Sequence, residues 1–200
     1  MSTRFAGLTK LPQQPAARLM AVANLKLKTP LAAPATAGVE VVLAELEAKG
    51  AMLDMLKLMA VALPPRERVW WACLAARDSL EPGAAVPPPL AATEAWTYKP
   101  TEENRAEVKK AIDLAEVEDD TVHAATAALF HDGTLGPGEF RAYEAPPGAA
   151  ELSAFSMNLI AMFRDAALAD AAGDVLLDRA LDIARGGSGQ IPLPVKEGVA

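Results

Sequence analysis

Apolar residues recur every three or four positions along most of the chain, which is the spacing of one face of an α-helix. In the segment 38–49, one face carries Val39, Val42, Leu43 and Leu46, and the glutamates at 40, 45 and 47 lie outside it. The segment 51–63 is apolar on nearly all sides and is predicted to form a central helix. Alternating runs of β-branched residues, which would indicate strands, are missing. The pattern therefore predicts an all-α fold.

Proline marks the boundaries of the predicted helices. Sixteen prolines fall between the helical segments, as expected for a residue that a helix tolerates only in its first turn. Thr101, which follows Pro100, is the predicted N-cap of the next helix. Predicted helices include 38–49, 51–63, 64–79, 90–98, 120–131, 149–171 and 174–185, with the last two joined near Gly173.

These segments predict an irregular bundle of about seven helices with flexible N- and C-terminal segments. Residues 1–34 are expected to be a flexible segment with at most one short helix. Residues 35–187 are expected to form a single helical domain, and residues 188–200 a flexible tail rich in glycine and proline.

Composition narrows the class of protein. The chain contains 43 alanines, which favour helices that approach one another closely. The net charge is −7 and no basic patch is visible, so we expect neither nucleic acid nor an anionic membrane surface as a partner. A single cysteine suits a reducing compartment. No apolar run reaches the length of a membrane span and no signal peptide is visible, so we expect a cytoplasmic protein without membrane insertion.

The segment LPPRERVWWACLAARDSL, residues 63–80, holds two of the three tryptophans and the only cysteine. On a helical wheel with about 100° per residue, Trp70 and Cys73 fall among the large apolar residues and are predicted to face the core. Trp71 falls about 130° from the centre of that face. It is predicted either to be covered by the proline-rich connector 81–89 or the N-terminal segment, or to be exposed as an anchor for a partner protein.

The sequence also predicts one ion pair and a second candidate contact surface. Arg77 lies within the predicted apolar face of the same helix and needs a carboxylate partner, for which Glu94 is the candidate. The segment 132–148 is the one long irregular loop of the chain. Its aromatic residues Phe140 and Tyr143 make it a second candidate contact surface.

The sequence contains no pattern typical of catalysis, metal binding or cofactor binding. Cys73, on the predicted core face, is expected to behave as a small hydrophobe. His123 and His131 are eight residues apart on one helix and cannot ligate one ion together. His131 is instead expected to cap a helix C-terminus as a cation. The acidic run 116–120 lacks the spacing of a calcium loop. We therefore predict no catalytic, metal-binding or cofactor-binding residues and no cofactor.

Three blocks of sequence carry a family resemblance: LPPRERVWWACLAAR (63–77), EAWTYKPTEENR (94–105) and LDIARGG (181–187). Over roughly residues 38–187, the chain resembles an uncharacterised family of bacterial all-helical proteins of unknown function. The resemblance implies no particular activity, and it implies an accessory or adaptor role near bacterial secretion systems. Phe130-His131 departs from the Phe-Trp of that family, which puts an aromatic role there in doubt.

We therefore expect a non-catalytic protein-binding or adaptor module of a bacterial cytoplasmic assembly. Its partner would be another protein, with Trp71, Phe140 and Tyr143 at the contact surface. One alternative is a toxin-neutralising immunity protein, which an acidic surface patch opposing a basic partner would favour. Another is a small enzyme whose site is assembled from scattered residues. The residues considered for that site are Cys73, Glu94, Arg105 and His123.

Overall fold

The helices of the structure coincide closely with the predicted segments over the middle of the chain. The computed structural model describes residues 3–194. This part contains nine α-helices, three short 3₁₀ turns and no strand, which confirms the all-α class. None of its helices is both long and apolar enough to cross a membrane. The helices are α1 (Ala16–Val22), α2 (Val39–Ala48), α3 (Met52–Ala62), α4 (Pro65–Ser79), α5 (Pro88–Tyr98), α6 (Glu102–Asp113), α7 (Val122–Leu129), α8 (Ala149–Phe163) and α9 (Ala169–Arg185).

Helix α4 lies at the centre of the bundle and contacts α5, α7, α8 and α9. Helix α8 packs along α4 and also touches α3 and α7, while α5 and α6 pack against each other and against α7. Alanine allows α4 and α8 to approach closely, because its methyl side chain is small and permits a short distance between the two helix axes. The buried alanines of the two helices are Ala72, Ala75 and Ala76 in α4 and Ala150, Ala154 and Ala161 in α8.

A buried arginine links the end of α3 to α4 and α8. The Nε of Arg68 donates to the Ala60 carbonyl at 2.5 Å, and its Nη2 donates to the Leu63 carbonyl at 3.1 Å. Its Nη1 pairs with Glu151 on α8 at 2.8 Å. The carbonyls at the end of a helix have no partner within that helix. Arg68 satisfies them from the first turn of the next helix.

The predicted joint near Gly173 is wrong. Helices α8 and α9 are separated instead around Asp165, whose carboxylate accepts the Ala167 N–H at 3.0 Å. Gly173 lies inside α9, where a Cβ would come within 3.0 Å of Met162 Cε and Met52 Cγ. The glycine therefore serves close packing of α9 against two neighbouring helices and not a turn.

The N-terminal segment differs from the flexible segment expected for residues 1–34. In its described part, Phe5 and Leu11 are buried in the same core as the main helices. The Lys10 N–H donates to the Ala184 carbonyl near the end of α9 at 2.9 Å. The segment packs because it carries apolar side chains that cover the ends of α2 and α9, which the sequence pattern alone does not reveal. One short helix, α1, lies in it, as predicted.

The first part of the predicted tail 188–200 also contacts the bundle. The Nε of Arg179, a buried residue of α9, donates to the Ile191 carbonyl at 2.6 Å. The remainder, residues 195–200, lies outside the described residues, as do residues 1–2. The domain boundaries at 35 and 187 stay a prediction.

Candidate partner-binding site

Trp71 is completely buried, with 0% of its surface exposed. Its indole Nε1 donates to the Leu176 carbonyl in α9 at 2.9 Å. Helix α9 therefore covers this side chain, an element that the sequence-based expectation did not include. The hypothesis that Trp71 is an exposed anchor for a partner is wrong for this reason.

The error has a physical cause in the alanine content of α4. The predicted core face was drawn through the large apolar residues of the helix, whereas the buried face includes Ala72, Ala75 and Ala76. At about 100° per residue, Trp71 lies only about 40° from Ala75. Trp70 lies about 100° from Trp71 on the other side, and it is half-buried. The roles of the two tryptophans are therefore the reverse of the predicted ones.

The outward face of α4 forms the floor of an open cleft of about 310 Å³. Trp70 lies in it, with its Nε1 donating to the Ser188 carbonyl at 2.7 Å. The end of α5, the end of α9 and the N-terminal segment supply the walls. We call it the tryptophan cleft, and its lining residues are Lys10, Arg66, Glu67, Trp70, Glu94, Thr97, Tyr98, Ile183 and Gly187.

Hydrogen bonds hold the polar side chains of the tryptophan cleft in place. The Nε of Arg66 donates to the Thr97 carbonyl at 2.7 Å and its Nη2 to the Tyr98 carbonyl at 3.5 Å. A cation at the C-terminus of α5 also interacts favourably with the helix dipole. Across the cleft, Lys10 Nζ pairs with Glu67 at 2.9 Å. The wall is therefore fixed, while the Tyr98 side chain stays 87% exposed.

The predicted pairing of Arg77 with Glu94 is confirmed. The Nε and Nη2 atoms of Arg77 each donate to one carboxylate oxygen of Glu94, both at 2.6 Å. This two-point contact fixes both side chains. It orients Glu94 at the edge of the tryptophan cleft. The predicted position of Arg77 within the apolar face is wrong, since Arg77 lies on the outward face of α4.

The three blocks that carry the family resemblance meet at this cleft. The block 63–77 supplies the floor, the block 94–105 one wall and the block 181–187 another. Sequence reasoning did not select Trp70 and Tyr98 as contact residues. The usable signal was the joint occurrence of the three blocks, because distinctive segments that are separated in sequence are candidates for one shared surface.

Phe140 and Tyr143, the other predicted contact residues, lie in a loop that is more ordered than its composition suggests. The loop forms a 3₁₀ turn over Gly138–Ala142, and the Leu135 N–H donates to the Tyr143 carbonyl at 2.9 Å. Phe140 is 37% exposed and lies 5.1 Å below Lys109 Nζ, while Tyr143 is 61% exposed. The part of these two residues in partner binding stays a prediction.

A fully buried arginine anchors this loop. Arg105 donates from Nη1 and Nη2 to the two carboxylate oxygens of Asp132 at 2.8 and 2.7 Å. Its Nε donates to the Leu129 carbonyl at 2.9 Å, and its Nη2 donates to the Thr134 hydroxyl at 2.8 Å. A buried charge is stable only when its donors are satisfied. Arg105 therefore joins α6, the end of α7 and the start of the loop.

His131 occupies the predicted position after α7 but not in the predicted charge state. Its Nδ1 lies 3.0 Å from the Ala128 carbonyl, and its ring packs on Trp96 with centroids 4.6 Å apart. Desolvation by burial lowers the pKa of His131, and the positive charge of Arg105 lowers it further. The neutral imidazole is favoured, so the expectation of a cationic cap is corrected.

We expect the free energy of unfolding to fall on acidification in two pH ranges, one due to His131 and one due to Asp132. His131 has a lowered pKa in the folded state, so its contribution is present above the unfolded pKa of about 6.5 and is lost below it. For Asp132, desolvation raises the pKa, but hydrogen bonds from Thr134 and Arg105 outweigh it and lower the pKa to about 2. Its contribution, roughly 1 to 2 kcal/mol after solvent screening, is present above about pH 4 and is lost towards pH 2.

Urea unfolding midpoints at several pH values between 7.5 and 2, about half a unit apart, measure both ranges. In the matched variant His131→Gln, the decrease in stability over the upper pH range should be absent, and the decrease over the lower range should remain. A wild-type midpoint that does not change between pH 7.5 and 5 would contradict the assignment to His131.

Of the four residues considered for an enzyme site, only Glu94 lines the tryptophan cleft. Cys73 is fully buried, and burial raises the pKa of its thiol well above its ordinary value, with Glu94 adding to the rise. Arg105 is bound to Asp132. His123 lies half-buried on α7. Within residues 3–194, no group of three or more His, Cys, Asp and Glu side chains is arranged to hold a metal ion.

The geometry describes an all-helical protein with one aromatic and polar cleft built from three separated segments. Residues 42–184 match DUF6931, a family of unknown function, and this match covers more than half of the chain. The chain therefore belongs to that family. The predicted membership in an uncharacterised family is confirmed. No curated protein matches the chain, and no solved structure matches it.

Proposed function

We propose that the chain is a non-catalytic protein-binding module that holds a segment of a partner protein in the tryptophan cleft. The observation that carries the proposal is the convergence of the three distinctive blocks on one open surface with two accessible aromatic side chains, Trp70 and Tyr98. Tryptophan, tyrosine and arginine contribute most to binding energy in protein interfaces. All three residue types line this cleft.

The contacts within the tryptophan cleft indicate the chemistry of the partner segment. Two acidic side chains are already paired, Glu67 with Lys10 and Glu94 with Arg77, so the cleft carries no large excess of charge. Within the described residues, the Nη1 of Arg66 and the hydroxyl of Tyr98 make no hydrogen bond. They are available to carbonyl or carboxylate oxygens of a partner. A volume of 310 Å³ suits one large side chain with its flanking backbone.

The biological setting forms part of the same proposal. The module would act as an adaptor in a bacterial cytoplasmic assembly, accessory to a secretion system, as the sequence resemblance implies. A non-catalytic role is supported by the burial of Cys73 and by the engagement of Arg105 in the loop anchor. The Cys73 thiol and the Arg105 guanidinium are both buried.

The variant Tyr98→Ala should weaken partner binding about tenfold or more, because it removes an accessible aromatic side chain from the edge of the tryptophan cleft. The full chain would first be used to isolate a partner from a lysate of its host. That partner would then be purified, and its dissociation constant measured by titration calorimetry against wild type and variants.

Tyr143→Ala is the matched control, since it removes the other exposed tyrosine of the chain, which lies in the Phe140 loop. Circular dichroism would establish that both variants are folded. Weaker binding with Tyr143→Ala and unchanged binding with Tyr98→Ala would reject the tryptophan cleft in favour of the loop. Unchanged binding with both variants would reject both surfaces.

A further inference from the structure

Two apolar side chains project from the surface just after α6. Leu114 is 75% exposed and Val117 is fully exposed. Glu116 and Glu118 lie beside them, and neither forms an ion pair within the described residues. We call Leu114 and Val117 the apolar knob. Exposed apolar surface that is rimmed by charged residues is a feature of interaction sites.

A complementary surface lies on the N-terminal segment. Helix α1 and the residues after it enclose an apolar pocket of about 480 Å³, lined among others by Met20, Leu25, Leu27 and Val42. Lys26 lies at this pocket, and within residues 3–194 its ammonium group has no carboxylate partner. We call this the α1 pocket. It is larger than the cleft on α4 and is mostly apolar.

The charges around the two surfaces are opposite. At the α1 pocket, the neighbouring carboxylates of Glu45 and Asp54 are paired with Lys49 and Lys57, which leaves the ammonium group of Lys26 uncompensated. Around the apolar knob, residues 114–120 contain four acidic residues and no basic one. Lys28, exposed beside Leu27, has no ion-pair partner in the described part of the chain. Unpaired charges of opposite sign favour and orient association between two surfaces. The charge beside the apolar knob is therefore opposite to the charge at the α1 pocket.

We propose that a second copy of this chain binds through these surfaces, with the apolar knob of one copy seated in the α1 pocket of the next. The two patches differ, so the contact is head-to-tail and produces a ring or a short linear assembly. Burial of Leu114 and Val117 supplies the attraction, and Lys26 and Lys28 face Glu116 and Glu118. This self-association does not involve the tryptophan cleft and is independent of the proposed partner binding.

Sedimentation equilibrium of the full chain tests the proposal. Wild type should associate reversibly in the range of about 10 to 500 μM and more weakly in 0.5 M salt, which shortens the range of charge interactions to about 4 Å. Val117→Ala should weaken association about tenfold, since it removes two methyl groups from the contact. Val41→Ala, which truncates an exposed valine on α2, is the matched control and should leave association unchanged.

Charge reversal identifies the partner surface. The double variants E116K/E118K and K26E/K28E should each be monomeric alone and should associate when mixed, because the mixture restores opposite charges at both contacts. Circular dichroism would establish their folding. A wild type that stays monomeric throughout the concentration range, equal effects of Val117→Ala and Val41→Ala, or a mixture that stays monomeric would each overturn the proposal. Tyr98→Ala should associate like wild type.

Discussion

Replacement of Trp71 by alanine should lower the free energy of unfolding by about 4 kcal/mol, the typical cost of removing a large aromatic side chain from a core. The side chain is fully buried between α4 and α9. Its loss leaves a cavity that the surrounding helices fill only in part. It also removes the hydrogen bond from the indole Nε1 to the Leu176 carbonyl. Urea denaturation followed by circular dichroism would measure the change.

Trp70→Ala is the matched control for this measurement, because it removes the same side chain from the adjacent position of the same helix. Trp70 is half-buried and lies in the tryptophan cleft. We expect its replacement to cost about 1 kcal/mol or less, the hydrogen bond to the Ser188 carbonyl included. A larger loss of stability with Trp70→Ala than with Trp71→Ala would contradict the assignment of the buried face of α4.

Arg105→Ala should destabilise the protein by about 3 to 5 kcal/mol, the range measured when one partner of a buried ion pair is removed. The variant deprives Asp132 of both its guanidinium hydrogen bonds. It also leaves the Leu129 carbonyl without its donor from Arg105. Because Arg105 joins the loop to α6, we also expect faster hydrogen exchange at loop amides such as Ala145 N–H, which donates to the Gly133 carbonyl at 2.8 Å.

Arg141→Ala provides the comparison, since Arg141 lies in the same loop and its side chain is mostly exposed. Its closest ion-pair contact is 3.9 Å from Glu102. Exposed pairs of this kind contribute little, and we expect a change below about 0.5 kcal/mol. Similar unfolding midpoints for the two arginine variants would show that the buried network does not anchor the loop.

Local features of the chain were predictable because their causes are local. Proline is tolerated in the first turn of a helix but clashes with the preceding turn inside one. The Pro64-Pro65 pair therefore predicts both the end of α3 before it and the start of α4 at Pro65. The Thr101 side chain caps α6 as predicted, accepting the Asn104 N–H at 3.3 Å. The pairing of Arg77 with Glu94 could also be predicted from the sequence, because a cation on a helix face next to a short connector has few carboxylates within reach.

The candidate site was less predictable, because its parts are far apart in sequence. Trp70 and Tyr98 belong to different helices, and residues after α9 complete the tryptophan cleft. Nothing in the period of a single helix indicates which neighbours cover which face. Phe140 and Tyr143 were easier to select, since an aromatic residue in a loop rich in glycine is conspicuous within its own segment.

The sequence by itself determined the all-helical class, most helix boundaries and membership in an uncharacterised family. Only the tertiary structure decided which tryptophan is buried. An alanine-rich face and a face of large apolar residues are both compatible with burial, so α4 carries two candidate core faces. The choice depended on α8 and α9, which approach α4 from segments about 80 to 110 residues later in the chain. Packing against those helices buries Trp71 and leaves Trp70 in an open cleft.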